Sequence, residues 1–452
     1  MTQTSIETHT TQIDPRTTTA TIFIRQAMAD LREPLRYIDL CCGIGGFRVA
    51  LEQLATKPGQ FRCVLSADIK RDALRTYNAN FRETNEPTDI YKLPPASVPA
   101  FDLLCAGFPC QPFSSAGQRK GFEDERGGMI FRILDLCKHH RPRWVVLENV
   151  ANLLAIQNGQ CIRRIVGLFA ELGYNVTYHQ LNSMHFGVPQ SRERVYIICS
   201  TEPLDHMETI PRQPPVTLES ALDLSDTTSD LPPPFMQAVL TTKQTRNIFG
   251  AKISDKRGGA DNIHSWDLET HGPTTPAERE LMNSIMLQRR KKHWAESKNI
   301  TWMDGMPLSV AEIRTFADIP GLEAILDGLV AKNYLRLEHP KDLVDGVRVP
   351  ALESPIGYNI CKGKLSFPIS RVLDPNGVSP TLTATDSHKL GVYVNDHCLR
   401  RLNQLEMKRI CGFPDEFIVP EGVNAYDLFG NMATPPVLRA IFAQLFSLEG
   451  QS

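Results

Sequence analysis

The sequence predicts an α/β fold in which a mainly parallel sheet carries the first domain and a smaller, irregular domain follows. From residue 35 to residue 200, apolar strand-like runs alternate with helix-like segments, which include 129–140 and 161–172, and this is the pattern of successive βαβ units. A glycine-rich turn at 43–46 comes directly after the first apolar run. Beyond Ser200 the alternation stops at two proline-rich stretches, 201–217 and 225–235, which indicate connections rather than sheet. Helical insertions are expected around 276–298 and near 309–331.

The composition agrees with an ordinary two-domain globular protein. The chain has 452 residues, of which 42% are hydrophobic, and no apolar run approaches the roughly 20 residues that a membrane span requires. The polar, Thr-rich start lacks the apolar stretch of a secretory signal, and we expect 1–34 to be a disordered lead-in. The eleven cysteines show no zinc-site spacing, which predicts reduced thiols in a cytoplasm and no bound metal.

The charge of the chain excludes a generally basic nucleic-acid binder, since the formal net charge is −2. It does not exclude DNA, because binding depends on the local placement of charge. Lysine and arginine concentrate at 252–259 and at 289–292, after a helix-like segment. These clusters could contact phosphates or could form solvated faces.

The glycine-rich turn lies in RYIDLCCGIGGFRVAL, residues 36–51. We predict a strand from Tyr37 to Cys41, a tight turn at the three glycines and a helix from Phe47. Such a turn lets backbone approach a ligand and offers the free N–H groups of the helix. The spacing is not GxGxxG, so a nucleoside without a pyrophosphate fits better than a dinucleotide. A turn that serves packing alone is the alternative.

Two acidic residues follow where contacts to a nucleoside are expected. Asp68 ends the apolar run CVLSAD, and a carboxylate at that point can accept hydrogen bonds from ribose hydroxyls. Asp89 lies in TDIYKL, in the next loop, and could accept from an exocyclic amine. Either side chain could instead be a solvated loop carboxylate.

A single cysteine is presented by the loop that follows the strand-like run FDLLCAG. In FPCQPFS, the prolines on either side of Cys110 restrict the loop, as suits a nucleophile at the carboxyl end of a strand. The alternative is that Cys110 packs as a small buried apolar side chain without a chemical role.

In RWVVLENV, Glu148 follows four apolar residues, and its strand should lie beside that loop. Apolar surroundings favour the protonated carboxyl, which can donate to a ring nitrogen or act as a general acid. A glutamate that caps the next helix is the alternative.

Arg192 and Arg194 lie two residues apart at the start of the strand-like RVYIICS. The alternation of a strand should point both guanidinium groups to one face, where they could clamp a carbonyl oxygen, phosphate or carboxylate. Solvated edge arginines are the alternative.

Taken together, these segments resemble the DNA cytosine-5 methyltransferases of bacterial restriction–modification systems. The resemblance covers about 36–200 and 379–447, and its motifs occur in the order of the family: DLCCGIGGF, FPCQPFS, ENV, QSRER, RRLNQLEMKRICGFPDEF at 400–417 and FGNMATPPV at 429–437. The sequence departs from the family at Asp68, where glutamate is more usual, and at Met432 and Ala433.

The resemblance implies a Rossmann-like domain that uses S-adenosyl-L-methionine to methylate carbon 5 of a cytosine flipped out of duplex DNA, through a covalent adduct with Cys110. It implies catalytic roles for Cys110, Glu148, Arg192 and Arg194, with Arg192 as the base contact. The implied cofactor-binding residues are Asp39, Gly43, Gly45, Gly46, Phe47, Asp68, Ile69, Asp89, Ile90, Pro109 and Asn431. The implied DNA-binding residues are Gln111, Ser114, Arg119, Lys120, Thr381 and Thr383.

The implied organisation is a catalytic domain at 35–200, a target-recognition domain at 201–378 and a return segment at 379–452 that completes the catalytic domain. We expect a cytoplasmic monomer acting on chromosomal DNA, and a cognate restriction endonuclease that acts on the same site without direct contact. Two alternatives remain: a transfer-RNA cytosine-5 methyltransferase, and a catalytically inactive DNA-binding regulator of the same fold.

Overall fold

The computed structural model describes residues 34–108, 128–255, 262–303, 305–361 and 367–447. The chain divides into two compact units. The first comprises Met1–Leu222, Asn376–Ser387 and Gln404–Ser452, and the second comprises Asp223–Pro375 and His388–Asn403. Compared with the predicted organisation, residues 201–222 and 376–378 group with the first unit and residues 388–403 group with the second.

The described elements are numbered along the chain. The strands are β1 Leu35–Leu40, β2 Phe61–Ala67, β3 Leu103–Gly107, β4 Trp144–Val150, β5 Asn175–Asn182, β6 Glu193–Ser200, β7 Leu335–Glu338, β8 Lys341–Val344, β9 Val347–Pro350, β10 Gly357–Ile360, β11 Arg371–Val372, β12 Leu390–Asn395 and β13 Cys398–Arg401. The helices are α1 Gly46–Leu54, α2 Arg71–Phe81, α3 Met129–His140, α4 Gln160–Glu171, α5 Pro233–Lys243, α6 Pro276–Gln288, α7 Lys292–Ser297, α8 Val310–Arg314, α9 Leu322–Ala331, α10 Gln404–Cys411, α11 Ala425–Gly430 and α12 Pro435–Leu445.

The first unit is built on a six-stranded sheet in the order β2-β1-β3-β4-β6-β5. Strands β2, β1, β3 and β4 pair in parallel, whereas β6 runs antiparallel to both β4 and β5. The sheet confirms the predicted α/β fold with mainly parallel strands. The carboxyl ends of β1 to β4 therefore meet at one edge, where open α/β sheets bind ligands.

Both faces of this sheet are buried, and successive residues of β1 show the alternation. Ile38 and Leu40 join the cluster that includes helices α3 and α4. Leu35 and Tyr37 join the opposite cluster, which includes α1 and α12. The apolar side of the last helix, α12, accordingly faces the sheet, and burying one such side chain contributes roughly 1.5–3 kcal/mol.

The second unit has no single large sheet among its described residues. Strands β7 and β10 pair, β8 and β9 form a hairpin, and β11, β12 and β13 form a three-stranded sheet. One core packs helices α6 to α9 against β7 and β10, and another packs α5 against β11 and β13. Helices α6 and α8 begin at capping boxes, Thr275 with Glu278 and Ser309 with Glu312.

No helix in the ranges covered by the structure is both long and apolar enough to span a membrane.

Candidate active site

The glycine turn between β1 and α1 is closely packed at two of its three glycines. A Cβ on Gly45, whose φ is 91°, would lie 2.4 Å from the Phe81 ring. A Cβ on Gly46 would lie 2.1 Å from the carbonyl oxygen of Ala433. Gly43 has a φ of 54° and nothing within 4 Å of its Cβ position. The turn therefore needs glycine for its packing and conformation, and it leaves open space at Gly43.

Asp68 joins the end of β2 to this turn. Its Oδ2 accepts a hydrogen bond from Gly43 N at 2.9 Å, and its Oδ1 accepts from Lys70 N at 2.8 Å. The next side chain, Ile69, is 71% exposed although it is apolar. A carboxylate and an uncovered apolar side chain thus stand side by side at the carboxyl edge of the sheet.

Asp39 is fully buried beneath the turn, and neither of its carboxyl oxygens has a hydrogen-bond partner. Burial raises the pKa of Asp39 to about 8, against the attraction of Arg48 and with a contribution from the negative charge of Asp68. Arg48 was not singled out by the sequence; it donates to Tyr77 Oη and Glu83 Oε1. Asp39 is therefore a buried carboxyl without a described partner at the end of β1, and its part in cofactor binding stays a prediction.

The other predicted cofactor residues are spread between the surface and the core. Asp89 Oδ1 accepts from Tyr91 N at 3.1 Å, which fixes the loop after Asp68. Ile90 and Phe47 are buried, with exposures of 4% and 2%. The exposed Asn431 donates from Nδ2 to the carbonyl and the carboxylate of Asp427.

Glu148 lies at the carboxyl end of β4, opposite Gly107 of β3 in the strand register. Its Oε1 is 3.0 Å from Arg194 Nε, and both side chains are largely buried. Burial raises the pKa of Glu148 above its ordinary value, although Arg194 and then Arg192 oppose the shift. Desolvation therefore outweighs the two cations, and the carboxyl keeps its proton more readily than a solvated glutamate.

Asn149, the neighbour of Glu148, holds the start of the loop that carries the predicted nucleophile. Its side chain is 2% exposed and donates from Nδ2 to the carbonyl of Phe108 at 3.0 Å. Several predicted site residues follow Phe108 and lie outside the described residues: Pro109, Cys110, Gln111, Ser114, Arg119 and Lys120.

The two arginines are not the parallel pair that the sequence predicted. Arg192 precedes β6, is 3% exposed, and donates to the carbonyls of Leu382, Gly430 and Met432 at 2.8–3.3 Å. Its guanidinium thus holds distant backbone, while its Nε has no hydrogen-bond partner among the described residues, and the role of base contact stays a prediction. Arg194 points to Glu148 instead. Alternation along a strand does not extend to a residue that stands before it.

The two predicted DNA-binding threonines make backbone hydrogen bonds. Thr381 Oγ1 donates to the carbonyl of Ser191 at 2.7 Å, and Thr383 Oγ1 accepts from Asp386 N at 3.2 Å. Gln190, which the sequence did not mark as functional, is fully buried and joins the same region. Its side chain donates to the Ile410 carbonyl and accepts from Leu382 N. These contacts fix the return segment against the start of β6.

Residues 35–447 match the family model described as C-5 cytosine-specific DNA methylase. The chain belongs to this family. It is a DNA cytosine-5 methyltransferase, and the sequence-based identification is thereby confirmed.

Its curated relatives are methyltransferases of Type II restriction–modification systems. The methyltransferase is 40% identical over 427 residues to the Type II methyltransferase M.NlaIV of Neisseria lactamica, covering 91% of this chain and 99% of that protein. It is 39% identical, at the same coverage, to M.NgoBV of Neisseria gonorrhoeae. M.BanI of Aneurinibacillus aneurinilyticus is 36% identical over 436 residues, with 91% and 96% covered.

The methyltransferase brings together, at one edge of its sheet, the glycine turn, Asp68 and the Glu148–Arg194 pair. The structural roles of Arg48, Asn149 and Gln190 were missed. Asn149 lies in the ENV motif and Gln190 in the QSRER motif, and this position was the available signal of their roles. Arg48 carried none, since a charged residue on a helix is ordinarily solvated.

Proposed function

We propose that this DNA methyltransferase adds the Cys110 thiolate to carbon 6 of a cytosine swung out of the duplex, and that carbon 5 then takes the methyl group. Carbon 5 of the intact ring is a weak nucleophile, and addition at carbon 6 supplies the electron density that it lacks. Loss of the carbon 5 proton and departure of the Cys110 sulfur restore the aromatic ring. Flipping costs a few kcal/mol in unpairing and unstacking.

S-adenosyl-L-methionine is the methyl donor that we propose, and when bound it supplies an electrophilic methyl group on a sulfonium sulfur. Observed features of the glycine turn fit it. Open space lies over Gly43, α1 starts without a side-chain cap, and Asp68 stands beside the uncovered Ile69. A carboxylate suits ribose hydroxyls and an exposed apolar side chain suits a purine face. Asp89 and Asn431 would add polar contacts.

The single observation that carries the catalytic proposal is the contact between Glu148 and Arg194. A carboxyl with a raised pKa can donate a proton to ring nitrogen 3 of the cytosine and so favour addition at carbon 6. Arg194, held at 3.0 Å from that carboxyl, would donate to the ring carbonyl oxygen nearby. Arg192 remains a proposed catalytic residue, and its contacts to the carbonyls of Leu382, Gly430 and Met432 would also hold the return segment beside the site.

Cys110 is only two residues beyond Phe108, whose carbonyl Asn149 holds. Gly107, the residue before Phe108 and the last residue of β3, pairs with Glu148. A thiol carried by this loop would therefore start from the Glu148 edge of the sheet. Thiolate, rather than thiol, is the nucleophile, and a free cysteine with a pKa near ~8.5 is mostly protonated at neutral pH. Coupling of the addition to proton donation by Glu148 would compensate for this.

In the cell we propose a cytoplasmic monomer that protects chromosomal DNA from a cognate restriction endonuclease. The second unit would read the target sequence. Gln111, Ser114, Arg119, Lys120, Thr381 and Thr383 remain proposed DNA contacts. The Thr381 hydroxyl, which donates to Ser191, can still accept a hydrogen bond, and the Thr383 hydroxyl, which accepts from Asp386 N, can still donate one.

The nucleophile is tested by trapping. Wild-type enzyme, Cys110→Ser and the control Cys361→Ser are incubated with S-adenosyl-L-methionine and a duplex whose target cytosine carries fluorine at carbon 5, since fluorine cannot leave as the proton does. The target is first found by methylation-sensitive sequencing of DNA from cells that express the enzyme.

We expect a covalent protein–DNA species from the wild type and the control and none from Cys110→Ser. Methyl transfer retained by Cys110→Ser would remove the proposed nucleophile. Methylation of transfer RNA instead of DNA would favour the RNA-directed alternative.

A further inference from the structure

The second unit contains a cavity of about 160 Å³ between the β7–β10 pair, the β8–β9 hairpin and the loop before α8. At roughly 30 Å³ for each liquid water, this volume would hold about five waters. The lining residues are Trp302, Gly305, Met306, Pro307, Arg336, Glu338, His339, Lys341, Arg348 and Asn359. Three of these side chains carry a permanent positive charge and one carries a negative charge.

The floor of the cavity is a fixed polar group. Asn359 is 5% exposed, and its Oδ1 accepts from Arg289 Nη1 at 2.7 Å. Its Nδ2 donates to the Gly305 carbonyl at 2.9 Å and to the Glu338 carboxylate. Arg289 itself is fully buried. A buried polar network of this kind holds its geometry, because breaking any of its bonds leaves an unpaired polar group.

The one negative charge of the cavity is already neutralised. Glu338 accepts from Asn359, and its Oε2 lies 3.0 Å from Arg336 Nη2. Lys341 and Arg348, at the exposed rim, form no ion pair with any residue in the described ranges. The cavity therefore keeps an excess of positive charge that no described side chain offsets.

Arg348 is held in a defined orientation. Its guanidinium carbon lies 3.9 Å from the centroid of the Trp302 ring, so the planar group rests on the indole face. Stacking of this kind leaves the N–H edge of the guanidinium directed outward and reduces the entropy lost when it donates two parallel hydrogen bonds. It also occupies that face of Trp302, which is then not open to a nucleobase.

A recess with a fixed polar floor and two unpaired cations, of which Arg348 is held in one orientation by Trp302, fits a tetrahedral oxyanion. We propose that this cavity binds a phosphate group of the DNA backbone, with Arg348 donating to its oxygens and Lys341 adding charge. The inference rests on the proposed function only in taking duplex DNA as the substrate. It gives the second unit an anchor that positions the duplex without reading its sequence.

The test compares the salt dependence of DNA binding by the full-length enzyme and its variants. The variants are Arg348→Ala, Lys341→Ala, the double variant and Arg348→Lys. Arg314→Ala is the matched control, since it removes an exposed cation of the same unit that is paired with Glu323. Fluorescence anisotropy of a labelled random-sequence duplex of about 20 base pairs is recorded between about 50 and 200 mM salt.

We expect the slope of log affinity against log salt to fall by about one in the double variant, which loses the one phosphate contact, and by less than one in each single alanine variant. Arg348→Lys should keep most of the slope because it keeps the charge, and the control should match the wild type. Unchanged slopes in the double variant would overturn the proposal. So would a change in sequence preference at constant slope, which would mean that Arg348 reads a base.

Two further arms separate the sources of failure. Calorimetry with inorganic phosphate tests for a free anion: binding that the double variant loses, with its DNA slope unchanged, would assign the cavity to that anion and overturn the DNA contact. Methylated cytosine is measured in parallel with the wild type. If the wild type binds duplex DNA without methylating cytosine, the proposed function fails while the salt test of the cavity still stands.

Discussion

Arg194 Nε lies 3.0 Å from Glu148 Oε1 across the antiparallel β4–β6 pair. In the register of these strands Glu148 is opposite Tyr196, and Arg194 is opposite Val150, so the ion pair is diagonal. The sheet itself thus fixes the spacing of the proposed proton donor and its cation. Two rigid strands, rather than loops, carry this part of the candidate site.

Replacing Glu148 with glutamine should lower the single-turnover rate of methyl transfer by about 10²–10⁴-fold, since the amide cannot deliver a proton to ring nitrogen 3. The control is Glu202→Gln, which removes a surface carboxylate paired with Arg143. Rates are measured with tritiated methyl donor and saturating DNA. A Glu148→Gln enzyme within threefold of the wild type would exclude a proton-donor role.

The two arginines should respond differently to alanine. Arg192→Ala removes a buried group that donates to three backbone carbonyls, and we expect it to lower the free energy of unfolding by on the order of 3 kcal/mol. Arg194→Ala should fold normally and lose methyl transfer. Denaturant unfolding and activity are measured on both. Equal stability of the two variants would contradict the assignment of Arg192 to the return segment.

The buried carboxyl of Asp39 should make stability depend on pH. Its pKa is about 8 in the folded protein, above the value of an unfolded aspartate, so the folded state binds the extra proton between these values. The stabilisation is complete at acid pH and is lost as the pH rises toward and through about 8.

Asp39→Asn removes this titration. Relative to the wild type, the variant should therefore gain stability as the pH rises from about 5 to about 8.5. Chemical denaturation at several pH values gives the difference. A difference between wild type and variant that stays constant over this range would show that Asp39 titrates normally.

Gly46→Ala should disrupt the glycine turn, because the new Cβ would lie 2.1 Å from the Ala433 carbonyl oxygen. Backbone must move, and we expect both weaker binding of S-adenosyl-L-methionine and lower stability. Gly167→Ala is the matched control, since it lies in α4 with nothing within 4 Å and should stabilise by roughly 0.5–1 kcal/mol. Calorimetric affinity and unfolding midpoints are compared. Equal cofactor affinity in the two variants would exclude the close packing of the turn.

The elements that local pattern specifies were predicted closely. The helix expected at 129–140 is found at Met129–His140, and the one expected at 161–172 at Gln160–Glu171. The predicted helical stretches 276–298 and 309–331 each contain two helices, α6 with α7 and α8 with α9. Apolar periodicity continues across such short breaks, so sequence alone does not show where a helix stops.

The partners of Arg192 were beyond sequence reasoning. Its carbonyl acceptors lie 190 to 240 residues away along the chain, and a backbone carbonyl leaves no trace in the choice of side chain. Asp39 shows the same limit, since its complete burial depends on tertiary packing around β1. By contrast, Glu148 and Asp68 stand at strand ends, and the order of the strands was enough to predict their edge of the sheet.

The carbonyl of Ala433 packs closely against Gly46, although the two residues are almost four hundred positions apart in the chain. During synthesis on the ribosome, the glycine turn is completed long before the residues that pack against it. We expect nascent enzyme to stay inert until the terminal helix has docked. Separately expressed fragments, divided ahead of that helix, should regain activity when mixed.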